Sequence, residues 1–165
     1  MKAIVYTSKN GHTAEYAEIL CRQTGLPVYS LKDAEKQLGK GTQIIYLGWL
    51  MASKVSGLNK ARKEFKVSAV CGVGLSDTGA LIQEVRKANT LPEDFPLFTM
   101  QGGMDKSKLK GINKLMINML EKGLASQKER TDADERMLYL LTHNANYVSE
   151  NNTADFMKWY NQNKD

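Results

Sequence analysis

Cysteine, proline and aromatic side chains are all scarce: two Cys, three Pro and 8% Phe, Trp and Tyr in 165 residues. Cys21 and Cys71, both in apolar settings, are too few for a disulfide framework and read as buried reduced thiols of a cytoplasmic protein. His12 and His143 stand alone, with no Cys/His spacing that suits zinc, so no metal site is expected. No apolar run approaches the length of a membrane span, and the N-terminus lacks a signal-peptide pattern. Acidic residues are outnumbered, 18 against 23 Lys and Arg, for a net charge of +5. A basic balance of this kind admits nucleic acid, but there is no aromatic-basic ribonucleoprotein motif, zinc finger or helix-turn-helix to use it.

Several phosphate-binding signatures are missing too. A Walker loop needs Gly, four residues, then Gly-Lys-Ser/Thr, and no such string occurs. A Rossmann turn needs three spaced glycines after the first strand, and only Gly11 is there. A Cys, five residues, then Arg pattern fails at both cysteines, since the sixth residue on is Pro27 in one case and Asp77 in the other. No acidic residue ends the first strand, which excludes a receiver-type site.

What is present is a strand, a polar glycine turn and a helix start. Ala3-Ile4-Val5-Tyr6 has the length and β-branched content of a buried parallel strand. Thr7-Ser8-Lys9-Asn10-Gly11-His12-Thr13 follows, dense in hydroxyls and amides. It opens into a helix with Ala14, Ala17, Cys21 and Thr24 at helical spacing and Leu20 beside them. Free backbone N–H groups and the helix dipole at such a junction favour an anion, here a monoester phosphate held mainly by neutral hydrogen bonds. An ordinary N-capped turn is the competing reading.

The elements then alternate. Strands are expected at Pro27–Ser30, Gln43–Leu47 (stopped by Gly48), Val67–Cys71 and Pro96–Met100. Helices are expected near Asp33–Leu38, Leu58–Glu64 and from an Asp77 or Thr78 cap to Asn89, where Leu91-Pro92 follows as a breaker. At 165 residues and 42% hydrophobic content the whole of 1–165 reads as one domain. Five strands separated by helices imply a parallel sheet with right-handed crossovers, and ligands at the carboxyl ends of its strands. Three loops there are rich: Thr7 to Thr13, Gly48 to Gly57 and Gly72 to Asp77. Beyond Gly102-Gly103 the chain continues as a helical segment. A helix is expected over Asp105–Lys122, with Leu109, Ile112, Met116, Met119 and Leu120 on one face and Lys106, Lys110, Lys114 and Lys122 opposite. Gly123–Asp134 reads as polar and mobile. A second helical patch lies at Arg136–Asn144, and Asn152 is expected to cap a last helix carrying Phe156, Met157, Trp159 and Tyr160.

With the loops placed, the residues resemble the flavodoxin superfamily over about the first hundred positions. The family's hydroxyl-rich loop ends in Gly-Asn-Thr, and here Ser8-Lys9-Asn10 precede Gly11-His12-Thr13, with His12 standing for the Asn. Gly72-Val73-Gly74-Leu75 is similar to the family's flavin-ring loop, and Gly48-Trp49-Leu50-Met51 falls where the other wall of the ring site lies. More narrowly, the late helix resembles that of the branch containing flavodoxin-type, quinone-dependent protoporphyrinogen oxidases. It is Lys- and Met-rich where known members are aromatic- and Arg-rich.

The resemblance implies a flavodoxin-like three-layer α/β sandwich. Its five-stranded parallel sheet has order 2-1-3-4-5, with helices on both faces and an extended C-terminal helical segment. It implies FMN as cofactor, with Ser8, Asn10 and Thr13 donating to the phosphate, Gly11 and His12 giving backbone N–H, and Lys9 adding charge. Gly72 and Gly74 would bring main-chain N–H to the ring edge, and Leu75 would face the ring. Trp49 either stacks on the ring, continued by Leu50 and Met51, or packs in the core. The activity implied is electron transfer between a small organic or quinone-type substrate and a redox partner, with a basic setting favouring two-electron chemistry. A non-enzymatic electron carrier and a scaffold without flavin stay open beside it. The apolar face of the late helix covers the sheet, meets an anionic membrane surface or pairs with a second copy.

Overall fold

The computed structural model describes residues 1–164, the side chain of Asn113 excepted. The path of the principal sheet is β2-β1-β3-β5-β6, formed by β1 (Ala3–Thr7), β2 (Val28–Ser30), β3 (Gln43–Met51), β5 (Lys66–Gly74) and β6 (Leu97–Gln101). Every neighbouring pair on this path is parallel. It is the expected order with one addition, the two-residue β4 (Lys54–Val55), which pairs antiparallel with the end of β3.

Alternation along the strands sorts the core into two layers, because successive side chains leave opposite faces of a sheet. Ala3, Val5, Ile44, Tyr46 and Val70 point to one side, where α2 (Leu31–Gln37), α3 (Leu58–Glu64) and α4 (Ile82–Ala88) contribute Ala34, Ala61 and Val85. Ile4, Ile45, Leu47, Ala69 and Cys71 point to the other, against α1 (His12–Thr24) and α7 (Ala154–Asn163). Both strand faces are therefore covered, which is why β1, β3 and β5 read as nearly unbroken apolar runs.

Several expectations are corrected. Gly48 does not stop the third strand. β3 runs on to Met51, leaves β1 after the Thr7–Gly48 pair and folds back through Ala52-Ser53 into β4. Ala52 and Ser53 have φ of 46° and 62°, the two left-handed residues a tight hairpin turn of primed type needs. The fourth strand extends through Gly72-Val73-Gly74 because β6 pairs alongside it as far as Gln101. The helix expected from Asp77 or Thr78 starts only at Ile82. Thr78 Oγ1 instead accepts the Gln101 N–H at 3.0 Å, and Leu81, with φ of 58°, turns the chain into α4. On α1 the buried face is Tyr16, Ala17, Ile19 and Leu20 rather than the stripe through Ala14 and Thr24, since the large side chains choose the face.

The late segment also departs from expectation. Asp105 caps a short 3-10 turn, Lys106–Lys108, the chain then extends, and Gly111 at φ of 57° starts α5 (Gly111–Ala125). The Gly123–Asp134 stretch is ordered at both ends. It carries the end of α5, and a reciprocal Thr131–Asp134 capping box opens α6 (Asp132–Thr142). The pair buries Leu109, Leu124, Leu141 and Met104 in a third cluster, separate from the two sheet layers. A two-stranded ribbon of β7 (Gly103–Met104) and β8 (Ala145–Asn146) ties this excursion back beside the end of β6. Asn152 does not cap the last helix, because its amide donates to Tyr16 Oη and the Tyr147 carbonyl. No described helix is long and apolar enough to cross a membrane.

Candidate functional site

The carboxyl ends of β1, β3 and β5 converge on one cavity of about 500 Å³. Its first wall is the turn between β1 and α1. There Ser8 Oγ accepts the Gly11 N–H at 3.2 Å and folds the turn upon itself. Gly11 takes φ of 102° at the N-cap, a conformation that favours glycine, and a Cβ on it would meet nothing within 4 Å. No side chain caps α1. Its opening N–H groups, those before the Glu15-to-Gly11 bond, therefore have no intrahelical acceptor and face outward with the positive end of the helix dipole.

Asn10 is the anomaly of this wall. It lines the cavity, and its Oδ1 is buried with no hydrogen-bond partner among the described residues. Buried amides left unpartnered are uncommon in native proteins and call for an unseen partner, and an amide can turn its NH₂ end to one that is an acceptor. Thr13 is buried and lines the same wall. Lys9 is exposed and places Nζ 5.1 Å from the Trp49 ring centroid, so its charge sits beside both the turn and the aromatic wall. The imidazole of His12 packs against Gly103, where a Cβ would come within 2.8 Å of Nε2. Burial pushes its pKa below the ordinary 6.5, opposed by Glu15, helped by Lys108 and opposed again by Asp105. Burial therefore favours the uncharged ring.

The second wall is the β3–β4 hairpin. Trp49 and Leu50 are half-buried and Met51 is exposed, and all three line the cavity. Trp49 thus belongs to the cavity wall and not to the core. One residue anchors the hairpin. Asn89 Oδ1 accepts the Val55 N–H at 2.9 Å, while its Nδ2 donates to the Ser53 carbonyl at 2.8 Å and the Val85 carbonyl at 2.7 Å. Gly48 lies behind this wall, where a Cβ would stand 2.6 Å from both the Ser56 carbonyl and Val55 Cγ1. It permits the hairpin to fold back but does not line the cavity.

The third wall corrects one expectation. Gly72 is buried inside the sheet, paired with Gly48 on one side and Thr99 on the other. The Leu50 side chain lies over it, 2.9 Å from where its Cβ would be. Its N–H faces a strand, so Gly72 holds Leu50 and offers nothing to a ligand. The β3–β5 ladder ends at Trp49–Val73, and Gly74 and Leu75 run on past it beside the cavity with Val73 at its base.

Sequence reasoning missed the fourth wall. Met104, Leu109, Met116, Ile117, Leu120 and Met137, from the α5–α6 excursion, complete the enclosure on its apolar side. Their helical periodicity is legible, but which neighbour they meet is decided by the β7–β8 ribbon, two residues a strand and without a sequence signal of its own. Among the described residues no group of three or more His, Cys, Asp or Glu side chains converges to hold a metal ion.

The residues fit a phosphorylated ring compound. The polar wall offers unsatisfied N–H groups, an unpartnered amide and one ammonium group. The remaining walls are mostly apolar, with Trp49 on one side and Leu75 on another. Comparison of the chain with protein-family models, curated proteins and solved structures gives no match.

Proposed function

We propose that the chain binds FMN in this cavity and acts as an FMN-dependent oxidoreductase of flavodoxin-like architecture. The carrying observation is the uncapped α1 N-terminus with the unpartnered Asn10 amide beside it, opening onto a cavity walled by Trp49. The strand path supports the same reading. Read without β4 it is the doubly wound order in which this cofactor takes the switch point between the first and third strands.

In this reading the backbone N–H groups of His12 and Thr13, with the Asn10 amide and Thr13 hydroxyl, hold the phosphate. Ser8 shapes the turn through its bond to Gly11, and Lys9 supplies the local positive charge. The His12 imidazole packs against Gly103 beside this wall. Trp49, Leu50 and Met51 wall one side of the ring, and Gly74 and Leu75 border another. FMN when bound supplies electron transfer, singly or as hydride. The protein's part is to hold it, shape its access and exclude water.

An enzyme is favoured over a carrier by the α5–α6 wall. An electron carrier needs its ring edge near the surface, whereas here Met104, Leu109 and Ile117 add an apolar lining to the same cavity. That lining suits an uncharged ring compound of quinone type. Free Cys21 and Cys71 fit a cytoplasmic setting.

The test is the visible spectrum of the purified protein and the phosphorus content of any flavin released by acid, followed by anaerobic reduction with NADH, NADPH and a reduced quinone. A yellow protein releasing FMN, bleached by one of these donors and reoxidised by a small quinone, is expected. A colourless protein that takes up no added FMN would refute the reading.

A further inference from the structure

Methionine is gathered in one place. Five of the eight in the chain, Met51, Met100, Met104, Met116 and Met137, line the cavity, each from a different element. Their exposure is graded. Met100 and Met104 are buried, Met137 is half-buried, and Met51 and Met116 stand at the rim, 41% and 43% exposed. The rim pair belongs to two walls, the hairpin and α5. Met119 is more exposed still, at 65%, and does not line the cavity.

A thioether is apolar and polarisable, which suits it to contact with a ring compound. It is also the aliphatic group that mild oxidation can make polar. A hydroperoxide does so in one step. A lone pair on the Met Sδ attacks a peroxide oxygen, and the S–O bond forms as the O–O bond breaks. Sulfur loses two electrons, and the departing oxygen takes up the proton of the transferred one and leaves as water or an alcohol. The sulfoxide formed is a strong hydrogen-bond acceptor. Open to solvent, it is hydrated. Covered by an uncharged ring it loses that water, and the other exposed rim side chains, Leu81 and Leu120, have no donor to replace it. Exposure governs which sulfurs react, so the rim pair is open to peroxide and the buried pair is shielded. The polar turn, Ser8 to Thr13, carries no sulfur.

We propose that Met51 and Met116 are a peroxide-sensitive modification site that controls access to the cavity. Conversion of the pair to sulfoxide shuts out uncharged ring compounds and leaves the phosphate end as it was. Reduction to the thioethers reopens the cavity. The inference rests on the apolar-ligand part of the function proposed above and not on flavin.

Equilibrium dialysis of the purified protein against duroquinone, an uncharged ring compound, tests it before and after graded hydrogen peroxide, with peptide mapping of each sample. Met51, Met116 and Met119 should oxidise while Met100 and Met104 stay thioethers, with circular dichroism unchanged. Duroquinone should then bind at least about tenfold more weakly, and methionine sulfoxide reductases for both epimers should restore it. Met51→Leu/Met116→Leu should bind duroquinone equally before and after peroxide, whereas Met119→Leu should lose binding as the parent does. No binding before peroxide, a rim pair that stays reduced while Met119 oxidises, or an oxidised rim pair with undiminished binding would overturn the proposal. So would loss of binding in the double leucine variant, or protection by Met119→Leu. FMN content measured on the same samples separates the outcomes. Peroxide-sensitive duroquinone binding without FMN uptake fails only the cofactor reading, and FMN uptake without it fails only this one.

Discussion

Asn89→Ala should detach the hairpin that forms one wall of the cavity. The Asn89 side chain makes three hydrogen bonds, to the Val55 N–H and to the carbonyls of Ser53 and Val85. The costs are unequal. Val55 is 5% exposed, so its N–H would be left buried without an acceptor, a loss of about 1–3 kcal/mol. The Ser53 carbonyl sits in a half-exposed turn where water can replace the amide, and it adds little. A total of about 1–3 kcal/mol follows. The backbone at position 89 should hold its place, since Arg62 Nη1 donates to the Asn89 carbonyl at 3.0 Å whatever the side chain. The damage is therefore local. Ala52 and Ser53 are already held at positive φ at a cost of about 1 kcal/mol each, so the released turn has reason to relax. Urea unfolding gives the stability change, and amide exchange at Val55 reports the hairpin directly. A variant within about 0.5 kcal/mol of the parent, with Val55 exchange unchanged, would mean that Asn89 does not clamp the hairpin.

Gly57→Ala should cost about 2–4 kcal/mol in urea unfolding, because a Cβ there would collide with Tyr46 Oη and lie 2.6 Å from Thr7 Oγ1 on a residue at φ of 80°. Tyr46 gives a pH signature. Burial pushes its phenol up to about 12, against which the Thr7 hydrogen bond works weakly. The native state then keeps a proton that the unfolded chain loses near pH 10, so this contribution is present below pH 10 and declines as pH rises toward 12. Tyr46→Phe should be less stable at neutral pH, having lost the bonds to Thr7 and Ser56, and should close that gap between pH 10 and 12 in parallel denaturant titrations. Burial also pushes the Cys71 thiol far up, so in the native protein Cys71 should stay unmodified by a thiol reagent at neutral pH and react only on unfolding, as peptide mapping would show.

The sheet was legible because its strands are buried on both faces and carry their signal as short apolar runs. Ala3 to Tyr6 and Gln43 to Leu47 need no tertiary information to be read as strands. What failed was the punctuation. Glycine reads as a stop, yet Gly48 and Gly72 lie inside strands, where their lack of a side chain makes room for Ser56 and Leu50. The turn at Ala52-Ser53 carries no glycine or asparagine, so nothing in the residue types announces a hairpin. Asn89 looked like a helix end and proved to be a clamp, a role set by contacts 34 to 36 positions away in the chain. The polar wall was readable from Ser8 to Thr13 because a glycine turn before a helix has local physical meaning. The apolar wall was not, because the α5 pattern of Ile112, Met116 and Met119 is the same whether a helix faces a core or solvent. The α5–α6 pair buries only part of α5's apolar arc, and the rest of its width stays outside.

If the turn from Ser8 to Thr13 holds a phosphate, flavin-free protein should distinguish FMN from riboflavin, which lacks only that group. Parallel fluorescence titrations should then give micromolar or tighter binding of FMN and at least about tenfold weaker binding of riboflavin, a margin set by one charge-assisted hydrogen bond. Equal affinity for the two, or saturation by neither, would contradict it.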